Sequence, residues 1–83
     1  MKTAEFIKLT EREKENLLYK SGVYIGKRKT LDHSIILFQL EGFYVEVFYS
    51  KYRHQVAYMH ISSDPEILDP YLQQLDVEEL IST

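Results

Sequence analysis

Residues 33 to 62 constrain the fold most, because they form strand-like runs separated only by short turns. β-branched and aromatic residues, which favour strands, are frequent in the runs 34–40, 43–49 and 54–62. Runs joined by turns this short pair as antiparallel neighbours, since a parallel pair needs a long crossover connection. The stretch therefore predicts an antiparallel meander at the centre of the chain.

The segment 23–29 adds a further strand before this stretch. It begins with Val23, Tyr24 and Ile25, which favour a strand, and it ends with basic residues at 27–29. Basic side chains commonly protect the edge of a sheet from pairing with other chains. We therefore expect 23–29 to be an edge strand of a four-stranded sheet.

The turn after residue 40 determines which residues of the central hairpin share a face. A two-residue turn would place Glu41 at positive φ, which is unfavourable for a long side chain. A three-residue loop from Leu40 to Gly42 needs positive φ only at the glycine, and we expect this loop. One face of the hairpin would then carry Ile35, Leu37, Phe43, Val45, Val47 and Tyr49, and the other Ile36, Phe38, Leu40, Tyr44, Glu46 and Phe48.

Helices are predicted on both sides of the strands. Thr10 and Glu13 fit a capping box that starts a helix over 10–20, and Gly22 suits its left-handed end. One further turn is expected at 3–8, with Phe6 and Ile7 as its apolar anchors. Prolines at 65 and 70 favour short helical pieces after the sheet, because proline suits the first turn of a helix but interrupts its interior. The predicted pieces are 65–68, 70–75 and 77–81.

The predicted fold is α+β, with a single domain over residues 1–83. An N-terminal helix, a four-stranded antiparallel β-meander and short C-terminal helices make up this fold, with the C-terminal helices packed on one face of the sheet. Helices are about 10 Å wide and four strands span roughly 19 Å, so the helices suffice for one face. The other face is expected to remain open.

An open face that carries aromatic side chains predicts an interaction surface, because a solvated sheet face is normally polar. We expect a small non-enzymatic module that forms a homodimer or binds a protein partner through this face. The predicted binding residues are Ile36, Phe38, Tyr44, Glu46, Phe48 and Tyr58.

Two alternatives remain at the level of sequence. Basic residues interleaved with tyrosines resemble in kind a surface that binds single-stranded nucleic acid. A small enzyme could instead use Glu46 and His60 as an acid–base pair. Glu46 could also have a structural role, paired with Arg28, Lys27 or Arg53. The basic residues of the nucleic-acid alternative are Lys27, Arg28, Lys29, Lys51, Arg53 and His54, and its aromatic residues are Tyr24, Tyr44, Phe48, Tyr52 and Tyr58.

Composition argues against several classes of function. The chain has no cysteine, which removes thiol chemistry and thiolate metal sites and is compatible with a reducing compartment. Its three histidines, His33, His54 and His60, are too scattered to predict a metal site. The sequence contains no glycine-rich loop that would predict a cofactor. It also contains no apolar run that would predict a signal peptide or a membrane span. We expect a cytoplasmic protein, and we recognise no known family in its sequence.

Overall fold

The computed structural model describes residues 2–72 and contains the predicted antiparallel meander. Four strands form one open sheet in the order of the chain, each antiparallel to the next. The predicted α+β class is confirmed, and the observed strand ends lie within two residues of the predicted ones. The strands are β1 (Val23–Lys29), β2 (His33–Leu40), β3 (Phe43–Ser50) and β4 (Val56–Ser62).

Short helices precede and follow the sheet in the sequence. The N-terminal ones are α1 (Thr3–Ile7) and α2 (Glu11–Ser21), and a 3₁₀ turn (Pro65–Leu68) follows the sheet and leads into a helical segment at 69–72. The predicted piece 70–75 extends beyond the described residues, and the piece 77–81 lies outside them. Pro65 and Pro70 each lie at the start of one of these helical pieces, because the fixed φ of proline suits the first turn of a helix.

The predicted capping box starts α2. The Thr10 hydroxyl accepts a hydrogen bond from the Glu13 backbone N–H at 3.2 Å, and Glu13 Oε1 accepts one from the Thr10 backbone N–H at 2.9 Å. The prediction of a left-handed Gly22 is wrong, because its φ is −75°. A Cβ at Gly22 would lie 2.6 Å from the Leu18 carbonyl oxygen, so a close approach is the reason for this glycine.

The turn between β2 and β3 differs from the predicted three-residue loop. Glu41 adopts φ 54°, and Leu40 pairs directly with Phe43 across a two-residue turn. A left-handed conformation costs a residue such as Glu41 about 1–2 kcal/mol. The free energy of apolar burial outweighs this cost, because the observed register gathers apolar side chains of both strands on a single face. The residues gathered there are Ile36, Phe38, Leu40, Phe43, Val45, Val47 and Tyr49.

We call this side of the sheet the α2 face, because α1 and α2 pack on it. Phe6 of α1 and Leu18 of α2 are buried against the hairpin, and half-buried side chains of β4 complete the cluster. The inward side of β4, which the sequence left open, is the side of Met59 and Ile61. Ile7, the second predicted anchor of α1, is 57% exposed, so only Phe6 anchors this helix.

We call the opposite side the Glu46 face, and it is covered in part by residues 65–72, which we call the C-terminal segment. Ile35 and Leu37 are fully buried on this face, and Tyr71 is only 2% exposed. The expectation that the N-terminal and C-terminal helices share one face is therefore wrong. Once the register places Ile35 and Leu37 opposite the α2 face, their burial requires a second cover.

Candidate functional site

Glu46 in the middle of β3 is the charged residue at the centre of the Glu46 face. It is 5% exposed, although an isolated carboxylate is rarely buried without a partner. In the sheet it lies opposite Leu37 of β2 and His60 of β4. Because neighbouring strands keep opposite residues on one face, the groups that surround Glu46 come from the whole width of the sheet.

Two side chains from distant parts of the sequence bind the same oxygen of Glu46. Arg28 Nη2 donates a hydrogen bond to Glu46 Oε2 at 3.1 Å, and the Tyr71 hydroxyl donates one at 2.7 Å. Arg28 lies on β1, opposite Ile35, and reaches over β2 to form this ion pair. The structural pairing of Glu46 with Arg28 is confirmed, and it ties β1, β3 and the C-terminal segment together.

Gly26 of β1 provides the place where the Tyr71 ring rests. A Cβ at residue 26 would lie 2.9 Å from Tyr71 Cδ1, which is closer than side-chain contacts allow. The ring also lies against Arg28, whose Cζ is 5.7 Å from the ring centroid. A glycine inside a strand often marks a close approach of another group, and this is the sequence signal that points to the site.

Tyr71 should make the stability of the protein decrease at alkaline pH. Burial, and then the hydrogen bond to Glu46, raise the pKa of Tyr71, so the folded chain favours the neutral phenol. The resulting stability is present below the pKa of an unfolded tyrosine, about 10, and is lost as the pH rises above it. Tyr49, whose pKa burial also raises, contributes in the same direction.

We therefore expect Tyr71→Phe to flatten this alkaline dependence. The variant should also lose about 1.5–3 kcal/mol at neutral pH, the usual contribution of a hydrogen bond to a charged group. Urea unfolding at a series of pH values measures both effects, with the exposed Tyr52→Phe as the control. A Tyr71→Phe protein that keeps the neutral stability and the full alkaline slope would contradict this role.

The structure places Glu46 and His60 side by side, as the acid–base alternative requires. They are cross-strand partners on the same face, although His60 is exposed and Glu46 is buried. Oε2 of Glu46 already accepts hydrogen bonds from Arg28 and Tyr71. This geometry gives Glu46 a clear structural task, which is to hold the C-terminal segment on the sheet.

The predicted binding residues are divided between the two faces. Ile36 and Phe38 lie on the α2 face, where Phe38 is buried and packs edge-on against Tyr19 at 5.9 Å between ring centroids. The prediction that all six residues share a face is wrong, because it depended on the three-residue loop. The residues that do share the Glu46 face are Tyr44, Glu46, Phe48 and Tyr58.

An aromatic cluster lies on the Glu46 face next to β4. The Phe48 and Tyr58 rings stack with centroids 4.3 Å apart and planes 15° apart. His33 packs edge-on against each of them at 5.8 Å. Tyr58 remains 51% exposed, so this aromatic cluster presents apolar surface beside the edge of the sheet.

The two edges of the sheet differ in charge. β1 carries Lys27, Arg28 and Lys29 in succession, as expected of a protected edge. β4 contains no lysine, arginine, aspartate or glutamate, and within residues 2–72 no further strand pairs with its outer side. The edge at β4 therefore combines available backbone hydrogen-bonding groups with an uncharged row of side chains.

The basic and aromatic residues of the nucleic-acid alternative are also divided. Lys27 and Lys29 lie on the α2 face by register, whereas Arg28 lies on the Glu46 face in its ion pair. Phe48 and Tyr58 belong to the aromatic cluster on the Glu46 face. The fold thus divides these residues between the two faces of the sheet.

The described residues contain neither a cluster of metal ligands nor a membrane-spanning helix. No group of three or more possible metal ligands occurs among residues 2–72. No helix in that part of the chain is long and apolar enough to cross a membrane. Comparisons with protein families, with curated proteins and with solved structures found no match.

Proposed function

We propose that the chain is a small non-enzymatic interaction module that forms a homodimer through β4. The observation that carries this proposal is the uncharged sheet edge at β4, next to the exposed Tyr58. An edge strand offers unpaired backbone N–H and C=O groups, and a second strand satisfies them by extending the sheet. We further propose a cytoplasmic location, which the absence of cysteine supports.

The sequence of β4 suits antiparallel pairing with its own copy. A two-fold axis at Met59 would pair all seven residues of the strand, from Val56 to Ser62. Tyr58 of one copy would then lie opposite His60 of the other, and the reverse contact would form by symmetry. Aromatic pairs of this kind stabilise neighbouring strands, and no like charges would meet along the seam.

The same pairing at the other edge would be unfavourable. Pairing two copies of β1 about Gly26 would place six basic residues along one seam, with Lys27, Arg28 and Lys29 of each copy opposite Ile25, Tyr24 and Val23 of the other. Basic side chains on an edge strand disfavour its pairing with another chain. Charge therefore favours β4 over β1 as the edge for self-association.

A small chain gains more from association than a large one. A domain of 83 residues buries only about 60–65% of the surface of its unfolded chain, so its stability is modest. A dimer adds buried surface to the folded state alone and stabilises it by mass action. The exposed part of the aromatic cluster, at Tyr58, would be covered in this way.

Sedimentation velocity tests the proposal directly. The wild-type protein is expected at twice its monomer mass of 9.9 kDa. His60→Lys puts a charge on the proposed seam and should weaken the dimer at least about tenfold, equivalent to 1.4 kcal/mol. Val23→Lys is the matched control, because Val23 is an exposed residue on the Glu46 face of the opposite edge.

Two results would count against the dimer. A wild-type protein that sediments as a monomer throughout the micromolar range removes the proposal. Equal weakening by His60→Lys and Val23→Lys would show that association does not use β4. Circular dichroism of both variants should match the wild type, since both substitutions are at exposed positions.

A further inference from the structure

A groove of about 360 Å³ opens on the α2 face, at the end of the sheet where β3 leads into β4. Its volume is near the lower limit for small-molecule sites, roughly 300–1,000 Å³. Tyr19, near the end of α2, forms part of its wall, and Ile36 and Tyr49 of the sheet line it as well. The groove is thus bounded on one side by apolar and aromatic groups.

Three basic side chains line the same groove. Lys27 comes from β1, whereas Lys51 and His54 come from the turn between β3 and β4. The Lys51 ammonium group donates a hydrogen bond to the Thr30 carbonyl oxygen, which holds this side chain beside the sheet. Distant parts of the chain therefore bring positive charge to one place.

A hydroxyl group of the groove is also suited to an anion. Ser34 lines the groove together with the lysines, and its hydroxyl can donate a hydrogen bond to a phosphate oxygen. Besides burial, the negative charge of Glu15 on α2 contributes to the raised pKa of Tyr49, so it would repel an anion at the end of the groove near α2. An anion is therefore favoured at the end of the groove near Lys51 and His54, away from α2.

His54 has a backbone conformation that is uncommon in residues other than glycine. Its φ is 55°, in the left-handed region that glycine adopts without strain. Its N–H donates to the Ser50 carbonyl oxygen at 3.0 Å, so the conformation belongs to the turn itself. A strained residue at a position where glycine would be easier suggests that the imidazole has a task of its own.

We propose that this groove binds a small organic phosphate. The phosphate group would lie between Lys51 and His54 with Lys27 nearby, since lysine binds phosphate as a point charge. A flat apolar body attached to the phosphate would rest against Ile36 and Tyr49. This site is separate from the proposed dimer seam, because the groove opens on the α2 face and no residue of β4 lines it.

Adenosine monophosphate is a suitable probe, because it joins a phosphate to a flat ring system. In a ¹⁵N–¹H titration of the full chain, its largest shifts are expected at residues 49–54. A dissociation constant of about 0.1–1 mM is expected for a site this open. Adenosine and inorganic phosphate, tested separately, should each bind at least about tenfold more weakly, since each lacks half of the contacts.

Charge removal tests the role of the lysines. The double variant Lys27→Gln/Lys51→Gln should lose at least about tenfold in affinity for adenosine monophosphate. Lys8→Gln is the control, because Lys8 is an exposed lysine at the end of α1 and does not line the groove. Equal losses in the control and in the double variant would overturn the site, because they would indicate unspecific charge attraction.

His54→Gly separates a binding role from a role in folding. Glycine suits the left-handed conformation, so this variant should unfold at the same or a higher urea concentration than the wild type. Its affinity for adenosine monophosphate should nevertheless fall several-fold. Unchanged affinity would remove His54 from the site, and tight binding of a single-stranded oligonucleotide without a terminal phosphate would replace the proposal with a nucleic-acid surface.

Discussion

Replacement of Arg28 by methionine is expected to lower the free energy of unfolding by about 3 kcal/mol. The substitution keeps the apolar stem but leaves the Glu46 carboxylate buried without its cation, and breaking a buried pair in this way costs about 3–5 kcal/mol. Arg28 is 28% exposed, which favours the lower end of that range. Urea unfolding followed by circular dichroism measures the change.

Two further variants make this prediction specific. Lys29→Met removes a charge from the next residue of β1, which is exposed, and should change the stability by less than about 0.5 kcal/mol. Adding Glu46→Leu to Arg28→Met removes the unpaired carboxylate and should recover part of the loss. Equal effects of Arg28→Met and Lys29→Met would show that the ion pair has little structural importance.

The sequence predicted the elements of the fold because each has a local cause. The capping box at Thr10 needs only residues within one helical turn, and the strand runs need only their own composition. Pro65 likewise starts a turn through its own fixed φ. These three signals depend only on neighbours along the chain, and the structure contains the elements that they predict.

The register of the central hairpin could not be obtained in the same way. The conformational cost at Glu41 is about 1–2 kcal/mol and is visible in the sequence. The opposing gain comes from burying the side chains of a whole face under α1 and α2, about 1.5–3 kcal/mol for each large apolar residue. Since that gain exists only in the assembled fold, the preferences of the turn residues alone predict the wrong loop.

The partners of Glu46 illustrate the same limit for the candidate site. Arg28 and Tyr71 are separated from Glu46 by 18 and 25 residues in the sequence. Arg28 was one of several cations that the sequence offered as partners for Glu46. No pattern near Glu46 in the sequence indicated that Tyr71 would be a second partner. The glycine at position 26 was the available clue, and its meaning depends on which side chain lies above it.

The second large effect is expected at Phe6, which anchors α1 to the sheet. Phe6 is fully buried, and its ring centroid lies 5.6 Å from that of Phe43. Phe6→Ala should lower the free energy of unfolding by about 3–5 kcal/mol, the usual cost of this change in a core. A helix of five residues is not stable alone, so α1 depends on this contact.

Hydrogen exchange distinguishes local detachment of α1 from general loss of stability. In Phe6→Ala, the amides of α1 should lose protection more than those of β2 and β3, because the anchor is gone while the strand ladder remains. Ile7→Ala is the matched control, since Ile7 is the neighbouring apolar residue and is exposed. It should change the stability by less than about 0.5 kcal/mol. Equal losses in the two variants would mean that α1 is held by something other than the burial of Phe6.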